Sequence, residues 1–225
     1  MAGQTHGLRA EGMVRAAKYP ETLGVYQNPT NAVFDIDKVH KKKGALPVSI
    51  KTTGSNTIWL ADARAFVDVD RMLQRNGLPG YILEIVTWQQ VGRFKVFHKA
   101  TTFHISDEIQ RAIVGDVTVD EVAHIHNGIS KRWFAADEPA AARAWAKREI
   151  ALLKPKLGIL KLNPKIDHSG KERRLQCSVS MSGLKELINR FDHWMPGMVR
   201  NHASTTVACG SLGLPFRLVS PQRKI

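Results

Sequence analysis

The spacing of apolar and polar residues changes period several times along the chain, and each change marks a predicted element. Across residues 7–18, Leu8, Met13, Val14 and Ala17 share one face of a helix that Pro20 stops. Asn28-Pro29-Thr30-Asn31 then reads as a turn. The period next falls to two. Residues 32–39 predict a strand with Val33, Asp35 and Asp37 on one face and Phe34 and Ile36 on the other. Residues 46–52 predict a second strand, with Val48 and Ile50 opposed to Ser49 and Lys51. The lysine run and Gly44 between them make the two a hairpin.

Beyond the turn Gly54-Ser55-Asn56, Ile58-Trp59-Leu60 fits a short strand or the entry to a helix. Asp62 is placed to cap a helix over residues 63–76, which Gly77-Leu78-Pro79-Gly80 breaks. Residues 81–88 and 93–97 predict a second antiparallel pair around Gln89–Gly92, and residues 103–105 a further short strand. From Ser106 the period is helical again. Ile109, Ile113 and Val114 mark one helix. Thr118 with Glu121 has capping-box spacing for another over residues 119–125. Pro139–Leu153 is a third, ended by Pro155. After Lys156 the pattern is less regular, with a strand over 175–181, a helix over 184–194 and late strands over 205–209 and 216–219. The fold class expected is α+β: a mixed sheet of about five strands flanked by helices over residues 1–153. Residues 154–225 form a basic α+β extension or part of the same domain.

Charge sharpens this outline. The 225 residues carry a formal net charge of +13. The excess is distributed along the chain, in Lys41, Lys42 and Lys43, in the stretch from Arg71 to Lys99, and between Lys154 and Arg174. Such an imbalance attracts polyanions, and phosphate backbones are the commonest of these. No basic amphipathic helix with an aromatic face favours a membrane, and no stretch approaches the roughly 20 apolar residues of a span. The N-terminus has no signal-peptide run. Cys177 and Cys209 are too few for a disulfide framework and lack zinc-knuckle spacing. A cytoplasmic, nucleic-acid-binding protein is the class expected. No Gly-rich phosphate loop points to a nucleotide-driven machine.

The candidate chemistry lies between Phe34 and Asp62. Lys51 sits in an otherwise apolar strand, where an unpartnered ammonium costs several kcal/mol. Under simple alternation Asp35 or Asp37 on the preceding strand is its partner. Phosphodiester hydrolysis needs such a group. Carboxylates hold Mg²⁺, and a lysine orients the attacking water or stabilises developing charge.

At these residues the chain resembles the PD-(D/E)XK nuclease superfamily, whose fold is that of restriction endonucleases. The resemblance spans roughly residues 7–105 and is carried by Asp35, by Ser49-Ile50-Lys51, and by Lys51-Thr52-Thr53-Gly54 with Leu60-Ala61-Asp62-Ala63. It implies that Asp35 is the first acid and principal metal ligand, that Lys51 positions water, and that Glu11 is the acid of the leading helix. Ser49 stands where the second acid is normally found. Asp37, Glu11 or Glu84 is then needed to complete a site for Mg²⁺ or Mn²⁺. Glu84 is itself notable as an acid in an apolar strand. The resemblance further implies a type II restriction-like endodeoxyribonuclease acting on double-stranded DNA as a homodimer. The alternative is a nucleic-acid-binding protein without catalysis on the same fold. A basic structural or assembly protein is a third reading.

Several other groups suit backbone or base contacts. Gln89, Gln90 and Arg93 lie at a predicted hairpin tip, Arg173 and Arg174 in the basic tail, and Lys41, Lys42 and Lys43 in a turn. Lys131-Arg132 before Trp133-Phe134 is a basic–aromatic pair, better explained by core packing. His124-Ile125-His126 follows a helical pattern, where i, i+2 histidines do not converge on one metal. His98 and His104 are general-base candidates only in outline.

Overall fold

A computed structural model of the chain describes residues 11–20, 33–36, 46–92, 94–136, 139–166, 173–194, 205–208 and 217–219. Residues 11–18 form helix α1, inside the predicted span. Strand β1 (Val48–Thr53) leads into β2 (Thr57–Asp62) through a turn in which Thr53 Oγ1 donates to the Thr57 carbonyl at 2.7 Å and accepts from Ser55 N at 3.1 Å. Residues 58–60 are therefore strand, one of the two expectations the sequence left open.

The helix predicted over 63–76 is divided into α2 (Ala63–Val67) and α3 (Val69–Arg75). Asp62 caps α2 as predicted, its carboxylate accepting from Arg64 N at 3.0 Å. Strands β3 (Gly80–Val91) and β4 (Phe94–Ser106) form one long hairpin that absorbs the separate strand expected over 103–105. Ser106 then caps α4 (Asp107–Val114), accepting from Ile109 N at 3.3 Å.

Helix α5 runs over Val119–Ala136, far beyond the predicted end at 125. Its start is the anticipated capping box: Thr118 Oγ1 accepts from Glu121 N at 3.2 Å, and Thr118 N donates to Glu121 Oε2 at 2.9 Å. The Asn127-Gly128 pair resembles a stop in sequence, yet Gly128 is there for packing. A Cβ on it would lie 2.0 Å from the Trp145 ring of α6 (Pro139–Leu153). Only a glycine lets the indole lie against the α5 backbone. Strand β5 (Lys161–Ile166) follows, unpredicted because Pro164 interrupts its pattern. Pro164 is tolerated because β5 is an edge strand. The chain continues through β6 (Arg173–Ser180), α7 (Met181–Trp194), β7 (Thr205–Ala208) and β8 (Arg217–Val219).

The architecture is mixed α+β with two sheets. In the first, β1 pairs parallel with β3, β3 antiparallel with β4, and the short β7 and β8 both pair with β4. The second has the order β2-β6-β5, all antiparallel. Strands from residues 154–225 thus enter both sheets. The first sheet is covered on both faces. One face meets the larger core, where Leu83, Ile85, Phe103 and Ile105 pack with Phe66, Ile109, Ile113 and the inner face of the second sheet. The other meets a smaller core of Val14, Ile36, Val48, Ile50, Val86, Phe97 and Ala100, closed by α1. Each fully buried aliphatic side chain contributes about 1.5–3 kcal/mol, so α1 is held mainly by the few contacts around Val14.

Candidate functional site

Strand β1 is the outermost strand of the first sheet on the side away from β4, and its open edge receives residues 33–36. Asp35 N and Ile36 N donate to the Val48 carbonyl at 2.9 and 3.0 Å, and Val48 N donates back to the Ile36 carbonyl at 2.8 Å. This antiparallel bridge is the structural form of the predicted hairpin. It aims Asp35 along β1, where Oδ2 accepts from Ile50 N at 2.5 Å and from Lys51 Nζ at 3.2 Å. The Lys51 side chain is only 13% exposed and that of Asp35 22%. An ammonium so far from water requires a counter-ion, and Asp35, one of the two partners anticipated, supplies it.

Glu11, the first described residue of α1, belongs to the same cluster. Its carboxyl is pushed up from 4.5 to about 7, first by burial and then by the negative charge of Asp35, with Lys51 acting in the opposite sense. Beside the Asp35–Lys51 pair, the Glu11 carboxyl therefore holds its proton to higher pH than an ordinary glutamate. Ser49, on the Lys51 face of β1, is buried and donates its hydroxyl to the Val33 carbonyl at 3.0 Å. It fastens the Asp35 segment to β1 from the position where the resemblance leads one to expect an acid.

Glu84 is not brought to this cluster. It stands in register with Ile50 on one side and Thr102 on the other, so its side chain lies on the face opposite Lys51. There it is fully buried and ion-paired: Lys18 Nζ lies 2.7 Å from Oε2, and Thr102 Oγ1 donates to the same oxygen at 2.8 Å. Lys18 is a residue the sequence reading passed over. The signal was the acid itself, since a carboxylate in an apolar strand demands a cation.

Asp37, Lys41, Lys42, Lys43 and Arg93 lie outside the described residues. Gln89 and Gln90 are exposed at the end of the β3–β4 hairpin, as expected. Arg173 and Arg174 are half-buried on β6. His124 lies 3.8 Å from Glu149, and His126 Nδ1 lies 3.5 Å from Asp62 and accepts from Leu175 N at 3.4 Å. Burial, reinforced by Arg64, lowers the pKa of His126, while Asp62 opposes the shift. Burial pushes the Cys177 thiol up to about 12, leaving it a protonated donor to the Ala61 carbonyl. Neither group is poised as a nucleophile. Among the described residues, no three His, Cys, Asp or Glu side chains are grouped closely enough to hold a metal ion by themselves. No helix among them is long and apolar enough to cross a membrane.

Comparison of the chain with protein-family models, with curated proteins and with solved structures gives no match.

Proposed function

We propose that this chain is a Mg²⁺-dependent endonuclease of the PD-(D/E)XK type that hydrolyses phosphodiester bonds in double-stranded DNA. The observation that carries the reading is the meeting of Glu11, Asp35 and Lys51, three residues far apart in sequence, at the edge of β1. Supporting it, the strand bearing Lys51 is antiparallel to the Asp35 segment and parallel to the next long strand. The antiparallel meeting of the Asp35 segment with the Lys51 strand is what the hairpin of that motif calls for.

The donor set suits a hard divalent cation. Mg²⁺ is usually held by one or two carboxylates, its other positions going to water and phosphate oxygens. Glu11 and Asp35 offer two carboxylates; burial first, and then the Asp35 charge, raise the Glu11 pKa, and a dication would offset both. Bound there, Mg²⁺ or Mn²⁺ supplies Lewis acidity at the phosphoryl oxygen and a more acidic water. Asp35 Oδ2 fixes the position of the Lys51 ammonium. Lys51 donates to the attacking water or to the phosphoryl oxygens as charge builds on them. Water oxygen bonds to phosphorus and releases a proton to solvent, the phosphorus–oxygen ester bond breaks, and the leaving oxygen takes a proton from solvent. A homodimer would present one such site to each strand of a duplex.

A non-catalytic nucleic-acid-binding protein is the second reading, favoured by Ser49. Its hydroxyl is committed to the Val33 carbonyl, so the usual second acid has no replacement at that position. Incubation of supercoiled and linear DNA with the protein in Mg²⁺, Mn²⁺ and EDTA separates the two. Cutting in metal and none in EDTA supports the nuclease. Metal-independent binding with no cutting at any metal concentration supports the binder.

A further inference from the structure

The second sheet turns one face to the core, and on its other face Trp59 and Lys161 are exposed among the described residues. Ile58, Leu60, Leu162, Leu175, Cys177 and Val179 face inward and are buried. The register sets Trp59 beside Ser178 and Lys161, and Lys165 beside Arg174, on the opposite face. Trp59 is 38% exposed, one of the few large apolar side chains so placed among the described residues. The Lys165 ammonium lies over its ring, 3.8 Å from the centroid. Asn163 donates to Ser178 Oγ at 3.0 Å and braces the centre of the face. Among the described residues of these three strands the one acid is Asp62, at the end of β2, and its carboxylate is already engaged by Arg64.

An indole with cations on neighbouring strands matches one chemistry closely. Unpaired bases stack on aromatic rings while lysines and arginines follow the phosphates. A duplex keeps its base faces inside the stack, so a partly exposed indole gains little from it. We infer that the outer face of β2-β6-β5, with Trp59, Lys161 and Lys165, binds a single-stranded segment of nucleic acid. The inference rests on the reading of this chain as a nucleic-acid enzyme and deepens it by adding an unpaired strand to its substrate. On binding, a base takes the place of Lys165 over the indole and the freed ammonium pairs with a phosphate. Charge complementarity favours this occupant: Lys161 and Lys165 lie on the face with Trp59, in a chain of net charge +13.

The test is fluorescence anisotropy of a labelled 20-nucleotide oligothymidylate, with oligouridylate and a 20-base-pair duplex beside it. The full-length protein is titrated in EDTA over a range of salt, so no metal-dependent step enters. Wild type is expected to bind the single strands more tightly than the duplex. Trp59→Leu is expected to weaken single-strand binding about tenfold or more, while Trp59→Phe retains most of it. Lys161→Ala with Lys165→Ala should flatten the salt dependence by about 1.4, the product of two contacts and about 0.7 per contact on a single strand. Thermal melts of each variant establish that it is folded, and Trp59→Phe and the lysine pair keep the test decisive should Trp59→Leu unfold. Equal single-strand binding by wild type and Trp59→Leu, or an unchanged salt slope in the lysine pair, overturns the inference. Cleavage is measured separately on wild type. Binding that depends on Trp59 without cutting sinks the nuclease and keeps the platform, and cutting without such binding does the reverse.

Discussion

Lys18 and Glu84, 66 residues apart, are joined by an ion pair of 2.7 Å that ties helix α1 to the buried face of the first sheet. Lys18 lies seven residues, close to two helical turns, after Glu11. The clamp at one end of α1 therefore sets where Glu11 arrives at the other, beside Asp35 and Lys51. A structural pair on one face of the sheet thus positions a candidate ligand at its edge.

Removing Lys18 strands a fully buried carboxylate. Lys18→Met is expected to cost about 2–4 kcal/mol in urea denaturation. The double variant Lys18→Met/Glu84→Gln should recover much of that loss, because no buried charge is then left alone. Glu84 does not reach the Asp35 cluster, so Glu84→Gln should weaken metal binding less than Glu11→Gln, acting only through the placement of α1. Metal binding weakened more by Glu84→Gln than by Glu11→Gln would contradict this.

Glu11 gives the site a pH dependence. Its folded pKa of about 7 lies above the ordinary 4.5, so its favourable contribution is complete below about 4.5 and is lost as pH rises through about 7. Glu11→Gln should therefore stabilise the protein at pH 8 by about 1–3 kcal/mol relative to wild type and change little at pH 4.5. Saturating Mg²⁺ should raise the melting temperature of wild type at pH 8 more than that of Glu11→Gln. Parallel thermal melts at the two pH values, with and without Mg²⁺, measure both effects.

Gly128→Ala forces a methyl group into the Trp145 ring, and the rigid indole has to shift. A loss of about 1–3 kcal/mol is expected from overpacking, although alanine is the better helix former by about 1 kcal/mol. Denaturation of Gly128→Ala beside Gly128→Ala/Trp145→Leu checks the cause, since the smaller partner should restore stability lost to the clash.

Much of this arrangement was legible in the chain wherever local chemistry decides structure. Asp62 and Thr118 cap the helices they were read to cap, and the alternation Val48-Ser49-Ile50-Lys51 assigned Lys51 its face. Asp35 as partner of Lys51 followed from the cost of burying charge. Long-range packing was not legible. Nothing local shows that Gly128 accommodates Trp145, that Pro164 sits in an edge strand, or that Glu84 is answered by Lys18. Simple alternation also could not tell which face of β3 would look toward β1's lysine, because that depends on the parallel register of the two strands.

The most direct test is single-turnover cleavage of supercoiled plasmid by wild type, Asp35→Asn and Lys51→Met in Mg²⁺, with DNA binding measured on the same samples. If Asp35 and Lys51 form the reaction centre, wild type cuts only with metal. Both variants should then bind DNA like wild type and cut at least about 10²-fold more slowly. Equal cutting by all three proteins, or cutting by wild type that persists in EDTA, would contradict the account.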